Sequence, residues 1–152
     1  MTSVLMDAPD YDPAIARRKK IRIAQILGAI LLVVAVVWWF RYWPQEHKVD
    51  QFLTAVEQQQ YEAAYGIWLA DADWKQHPEK YARYKFEDFF HDWGPAGELG
   101  LIREHKIDTA ERPKGNTTGV VVIATVNQRK VHAHIFVDDK DHSLSFWQDF
   151  IY

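Results

Sequence analysis

The chain has 152 residues, of which 18 are basic and 21 acidic, so its formal net charge is only −3; it also contains 7 Trp, 7 Tyr and 8 Phe. This composition excludes a disordered chain, a collagen-like repeat and a strongly basic nucleic-acid-binding protein. The absence of cysteine excludes disulfides, thiolate nucleophiles, iron–sulfur clusters and thiolate zinc sites. Nucleotide-binding and hydrolase motifs are also missing, and we expect no cofactor and no nucleic-acid partner.

Charge is distributed unevenly along the chain. Residues 1–13 contain three acids and no base, residues 14–43 contain six bases and no acid, and residues 44–152 contain 12 bases and 18 acids. The second of these regions contains an apolar segment from Ile23 to Trp43, in which Gln25 and Arg41 are the only strongly polar residues. Its 21 residues would cover roughly 31 Å as a helix, close to the ~30 Å core of a bilayer. The sequence predicts one membrane-spanning helix over residues 23–43.

The flanks of this segment predict its orientation. Basic side chains precede it, and aromatic rings, which favour the headgroup layer, end it. The predicted anchor residues are Arg17, Arg18, Lys19, Lys20, Trp38, Trp39 and Trp43. By the positive-inside rule, residues 1–22 form a cytoplasmic tail and residues 44–152 a periplasmic or extracellular domain of an inner (plasma) membrane protein. A cleaved signal peptide, the main alternative, would need small residues where this chain has bulky rings.

The outside domain begins with helical periodicity. Apolar residues recur at intervals of three and four through residues 49–58, and again from Tyr61 to about Asp71. A third helix is expected from Pro78, a favourable first-turn residue, to Gly94-Pro95. The sequence predicts three helices before any strand.

From Leu99 onward the apolar period changes to two. Four strands are predicted at residues 101–109, 119–126, 131–137 and 144–150, joined by short polar connectors that favour antiparallel neighbours. Helices followed by strands indicate an α+β domain, with helices packed on a curved antiparallel sheet of about four strands. In the third strand, Val131, Ala133, Ile135 and Val137 share one face, and His132, His134 and Phe136 lie on the other.

Two short motifs carry a resemblance to a known family. The stretch Phe52-Leu53-Thr54-Ala55, followed after a break by Tyr61-Glu62-Ala63-Ala64-Tyr65, resembles the opening of the nuclear-transport-factor-2-like, or cystatin-like, superfamily. Relatives often have glycine and aspartate before the tyrosine, where this chain has Gln59 and Gln60. The resemblance covers about residues 46–152. It implies a cone between sheet and helices, and its members include isomerases, dehydratases, ligand binders and periplasmic assembly factors.

Several side chains are candidates for a site. A pocket in such a cone could be lined by aromatic residues, namely Trp68, Tyr84, Phe136, Phe146 and Trp147, although aromatic residues more often form core. His132 and His134 share a strand face and could hold a metal ion with His105, but the H-x-H pattern is common by chance. We expect no metal.

Carboxylates supply the remaining candidates. Glu87 and His91, or Asp88 and His91, could meet as an acid–base pair on the third helix, whose polar side is otherwise simply solvated. In isomerase-like relatives a carboxylate inside the cone acts as a base, and Asp108 or Asp149 could take that place.

We therefore expect a single-pass, membrane-anchored extracytoplasmic module that acts through protein–protein contacts, with an envelope protein or a second copy of the chain as partner. The alternative is a small-ligand binder or an isomerase-like enzyme that uses the cone. No catalytic residue is assigned, and enzymatic activity is the less favoured reading.

Overall fold

A computed structural model describes residues 13–115, 118–130 and 132–147. Predictions that concern residues 1–12, Val131, and residues 148–150 of the fourth strand, including Asp149, lie outside the described residues. The chain divides into two compact units, with the boundary between Arg41 and Tyr42.

The first unit is built around α1, a 27-residue helix from Pro13 to Trp39. None of its residues is buried, although most positions from Ile23 onward are apolar. Within the described part of the chain, one helix near the N-terminus is long and apolar enough to cross a membrane. Residues 40–42 form a turn, and Trp43 begins the next helix, with Pro44 in its first turn. The bounds of the membrane span, residues 23–43, stay a prediction.

The second unit contains the remaining helices, α2 (Trp43–Glu57), α3 (Tyr61–Leu69) and α4 (Phe86–Trp93). Two 3-10 turns, Trp74–Gln76 and Pro78–Tyr81, lie between α3 and α4. The expected third helix from Pro78 is therefore wrong at its beginning. Lys85 has an extended backbone, and its N–H donates to the Asp88 carboxylate over 3.0 Å, which caps α4 and fixes its start at Phe86.

The break between α2 and α3 depends on a left-handed residue. Gln59 has φ 57°, and the Gln60 N–H donates back to the Ala55 carbonyl over 2.9 Å. This is the hydrogen bond of a Schellman ending, where glycine is the usual residue because a β-carbon is unfavourable in the left-handed region.

We expect Gln59→Gly to raise the free energy of unfolding by about 0.5–1 kcal/mol, because it relieves the left-handed strain at the cost of some chain entropy. Urea unfolding of the full chain in detergent micelles measures the change. Gln58→Gly is the matched control, since Gln58 has φ −77° and should instead lose about 0.5–1 kcal/mol. Equal effects at both positions would contradict the strain argument.

The sheet has four antiparallel strands in the order β1-β2-β3-β4. They are β1 (His105–Glu111), β2 (Gly119–Val126), β3 (His132–Asp138) and β4 (Leu144–Phe146). The first strand begins four residues later than expected, but the α+β architecture and the antiparallel sheet are confirmed. A register shift between Ile107 and Thr109 places Asp108 in a bulge of β1.

The core lies between the helices and one face of the sheet. On the sheet side it contains Val122, Ala124, Ile135 and Val137, and on the helix side it is dominated by aromatic rings. Phe52 of α2 has zero exposure and contacts three rings, those of Trp68, Phe89 and Trp93, at centroid distances of 4.8–6.1 Å. Packed side chains thus lie between the helices and this face of the sheet. Burial on this scale is the main source of stability of the second unit.

Candidate functional site

The five aromatic residues expected to line a pocket lie on two faces of the sheet. Trp68 contacts Phe146 at 4.9 Å and Tyr84 at 6.2 Å, so these three rings belong to the helix side. Phe136 and Trp147 stack on each other at 5.6 Å on the opposite side. Strand register explains the split, because Ile135 pairs with Phe146 whereas Phe136 pairs with Ser145. The five residues do not line one pocket.

The face of the sheet that points away from the core, here called the outer sheet face, carries both apolar and polar side chains. Its apolar members, which are absent from the core cluster, are Val121, Ile123, Phe136 and Trp147. Phe136, Ile123 and Trp147 are partly exposed. Around them lie polar side chains from β1, β2 and β3, namely Asp108, Thr125, His132 and His134. Sequence alternation correctly placed the two histidines and Phe136 on this face.

Three of these polar residues form a cluster across neighbouring strands. The Thr125 hydroxyl donates to the Asp108 carboxylate over 2.6 Å and lies 3.0 Å from His132 Nδ1, which is itself 3.2 Å from Asp108. The hydrogen bond from Thr125, and then that from His132, lowers the pKa of Asp108.

The cluster does not have the geometry of a nucleophilic triad. In such a triad the two ring nitrogens of histidine face different partners, whereas here Nδ1 of His132 faces both Thr125 and Asp108. Asp108 also lies on the outer sheet face, so it is not a base inside the cone, and its lowered pKa is opposite to that of a carboxyl group kept neutral by burial. We infer that these hydrogen bonds hold β1, β2 and β3 together at the bulge. The same side chains also place polar groups on the outer sheet face.

The three histidines considered as metal ligands are also separated by the sheet. His105 points toward α2, where its Nδ1 is 2.7 Å from Glu57 and its Nε2 is 3.0 Å from Asp50. Its side chain is 7% exposed. His132 and His134 lie on the outer sheet face, so these three cannot share an ion. Across residues 13–115, 118–130 and 132–147, no group of three or more His, Asp or Glu side chains could hold a metal.

The acid–base candidates on α4 have structural partners. Asp88 caps the helix, and the Tyr84 hydroxyl donates to Asp92 over 3.0 Å. Burial, supported by this hydrogen bond, raises the pKa of Tyr84. His91 lies 3.4 Å from Asp92 and is mostly exposed. Among the described residues, Glu87 forms no hydrogen bond or ion pair with His91, so these two side chains do not meet as an acid–base pair.

A cleft that the sequence did not predict lies over the connection between α3 and α4. Its volume is about 540 Å³, within the range of about 300–1,000 Å³ typical of ligand sites. We call it the aromatic cleft, and it is lined by Tyr65, Trp74, Pro78, Glu79, Tyr81, Ala82, Lys85, Phe86 and Glu87. A continuous helix from Pro78 had been expected here. The available signal was the position of Phe86: Trp74 and Tyr81, seven residues apart, could share a helical face, but Phe86, five residues after Tyr81, could not.

Aromatic packing holds the cleft in shape. The Trp74 ring meets Tyr65 edge-on at 4.8 Å and stacks on Phe86 at 5.6 Å with an interplanar angle of 18°. Tyr65 is buried, and its hydroxyl donates to the Tyr84 carbonyl over 2.5 Å. One wall of the cleft is therefore part of the core.

The other wall is fixed by Asp71, which follows α3. Its Oδ2 lies 2.6 Å from His77 Nε2 and accepts a hydrogen bond from the Tyr81 hydroxyl, while its Oδ1 accepts from the Asp73 N–H over 3.0 Å. The hydrogen bond from Tyr81, followed by that from His77, lowers the pKa of Asp71 to about 2. An ionised Asp71 thus fastens both 3-10 turns.

This shift predicts a pH dependence. Because the pKa of Asp71 is lower in the folded chain than the ordinary value of 3.8, its contribution is fully present above about pH 4 and is lost as the pH falls toward 2. Asp71→Asn should be less stable than wild type at pH 5, and the difference should shrink toward pH 2. Thermal unfolding at stepped pH tests this, with Asp73→Asn as the control. A difference that stays constant down to pH 2 would count against the assignment.

Comparison of this chain with protein-family models, curated proteins and solved structures found no match. The fold and sites by themselves define an α+β unit that follows a helix long and apolar enough to span a membrane.

Proposed function

We propose that this protein is a single-pass, membrane-anchored module whose α+β domain lies outside the cytoplasm and binds a protein partner in the same envelope. The orientation is supported by the basic residues at the start of α1 and by the aromatic residues at its other end. The apolar part of α1 supports anchoring, because its side chains from Ile23 to Trp39 are not buried in the protein and are favourable in an apolar solvent.

The observation that carries partner binding is the outer sheet face. Helices cover one face of the sheet, whereas the other presents Ile123, Phe136 and Trp147 outside the core cluster. Apolar side chains ringed by polar ones are typical of protein interfaces. The surrounding Asp108, Thr125 and His132 supply hydrogen-bonding groups in fixed positions. A second copy of the chain could also bind at this face, and the crosslinking experiment below can identify it.

We further propose that the second unit belongs to the nuclear-transport-factor-2-like superfamily. The order of its elements, helices followed by an antiparallel meander, supports this. Membership by itself assigns no chemistry, because such folds host many functions. An experimental structure of the domain that failed to superpose on this superfamily would remove the proposal.

Topology can be tested with introduced cysteines, because the chain has none of its own. We expect a membrane-impermeant maleimide to label Lys114→Cys in intact spheroplasts and to label Ala14→Cys only after permeabilisation. The opposite pattern would overturn the proposed orientation. Labelling of both positions in intact cells would instead argue against a spanning helix.

Partner binding can be tested by photocrosslinking in the native membrane. A photoreactive residue at Ile123 or Phe136 should give one dominant product, while the same residue at Arg83, an exposed position on the α3–α4 connection, should not. A product of twice the chain mass would identify a second copy as the partner. No product at either outer-face position, or equal products at Arg83, would refute docking at this face.

Small-ligand binding is a second candidate function, and the aromatic cleft is the observation that favours it. The cleft differs from the cone suggested by the sequence, since its lining comes from α3, α4 and their connection.

A further inference from the structure

The aromatic cleft combines ring surfaces with acidic groups. Four of its lining residues are aromatic, namely Tyr65, Trp74, Tyr81 and Phe86. Glu79 and Glu87 also line it, against one basic residue, Lys85. Among the described residues, neither glutamate has a hydrogen-bond or ion-pair partner. The lining therefore combines polarisable rings with two carboxylates that have no hydrogen-bond or ion-pair partner among the described residues.

Two lysines of the chain already form cation–π contacts with rings of the cleft. The Lys75 ammonium lies 5.6 Å from the centroid of Trp74, and the Lys80 ammonium lies 5.2 Å from that of Tyr81. Both distances are within the ~6 Å reach of a cation–π contact. Lys75 is also paired with Glu62 over 2.5 Å and is not among the residues that line the cleft. Two of the four rings thus already attract an ammonium group.

Charge and shape together restrict the ligand. A small apolar molecule would form no ion pair with either glutamate, and an anion would be repelled by both carboxylates. An alkylated ammonium group suits the site best, because its methyl groups contact rings while its charge is matched by the carboxylates. Lys85 could pair with an acidic group on the same ligand.

The geometry points to the aromatic cleft as a binding site for a small organic cation of the quaternary ammonium class, including zwitterions that carry an acidic group. The site takes no residue from the sheet, so it stands independently of partner binding at the outer sheet face. Rings supply the contact surface, Glu79 and Glu87 supply the charge, and Lys85 distinguishes a zwitterion from a simple cation.

Calorimetric titration of the full chain in maltoside micelles, which contain no ammonium group, tests this assignment. The probes are choline, glycine betaine and 3,3-dimethylbutanol, the neutral isostere of choline. We expect saturable binding of choline and betaine, and at least about fivefold weaker binding of the neutral isostere, since the cation–π contacts are lost. Equal binding of the isostere, or no saturable binding of any probe, would overturn the proposal.

Variants assign the binding to the cleft. Glu87→Gln, an exposed change that should not affect folding, is expected to weaken choline binding about fivefold, as is Trp74→Leu. Lys85→Met should weaken betaine binding and leave choline binding unchanged or stronger. Glu98→Gln, an exposed acid outside the cleft, is the matched control. If Glu98→Gln weakens binding as much as Glu87→Gln, the binding is non-specific and the assignment fails. Unchanged photocrosslinking in Glu87→Gln would keep this result separate from the partner proposal.

Discussion

Replacing Phe52 with alanine is expected to lower the free energy of unfolding of the α+β unit by about 3–5 kcal/mol. The ring has zero exposure and contacts Trp68, Phe89 and Trp93, with the Trp93 ring meeting it edge-on at 4.8 Å. Truncation removes buried apolar surface and leaves a cavity among rigid rings that cannot close it. Because a small domain has only about 5–15 kcal/mol in total, this one change could remove a large part of its stability.

The measurement is urea unfolding of the full chain in micelles, followed by intrinsic fluorescence. Phe90→Ala is the matched control on α4, since the Phe90 side chain is 44% exposed and mainly meets the edge of Tyr61. We expect it to cost about 1 kcal/mol or less. Comparable losses from the two phenylalanines would mean that the core is not centred on Phe52.

His105→Ala is expected to have the second largest effect, a loss of about 2 kcal/mol. The ring joins β1 to α2, and both of its nitrogens face carboxylates seven residues apart on that helix, Asp50 and Glu57. Removing it leaves two acidic side chains against the sheet, although partial exposure of Asp50, at 50%, keeps the cost below that of a fully buried pair.

A double-mutant cycle can separate the two contacts. Glu57 is 23% exposed and 2.7 Å from the ring, whereas Asp50 is half exposed and 3.0 Å away. Glu57→Gln should therefore couple more strongly to His105→Ala than Asp50→Asn does. His91→Ala is the control, because that side chain is 80% exposed. Equal coupling of the two acids, or a substantial loss in His91→Ala, would contradict this account.

Much of the fold follows from periodicity. Alternation in β3 correctly divided Ile135 and Val137 from His134 and Phe136, because neighbouring residues of a strand face opposite ways. An unbroken apolar segment can likewise be recognised from neighbouring residues alone, and a long exposed apolar helix lies where the sequence predicts it. Helix ends were harder to predict, since the start of α4 depends on one hydrogen bond between Lys85 and Asp88.

The candidate sites could be predicted only in part, since they depend on tertiary contacts. Nothing local indicates that His105 lies between Asp50 and Glu57, about 50 residues earlier in the chain. The aromatic cleft likewise depends on Asp71, which is hydrogen-bonded to His77 and Tyr81 and so holds the 3-10 turns between α3 and α4 in place. Strand register also places Phe136 and Phe146 on opposite faces of the sheet, although both were expected to line the same pocket.

The order of the strands has a consequence for biosynthesis. Each strand pairs with its neighbour along the chain, so the sheet can form from successive hairpins, which is a fast, local process. Helix α2, by contrast, packs on β1, β2 and β3. Since chains are made from the N-terminus, α2 and α3 emerge long before these strands. Ribosome-bound chains that end before β3 should leave Phe52 and Trp68 open to chaperones and proteases, so the helices complete their folding only when the last hairpin arrives.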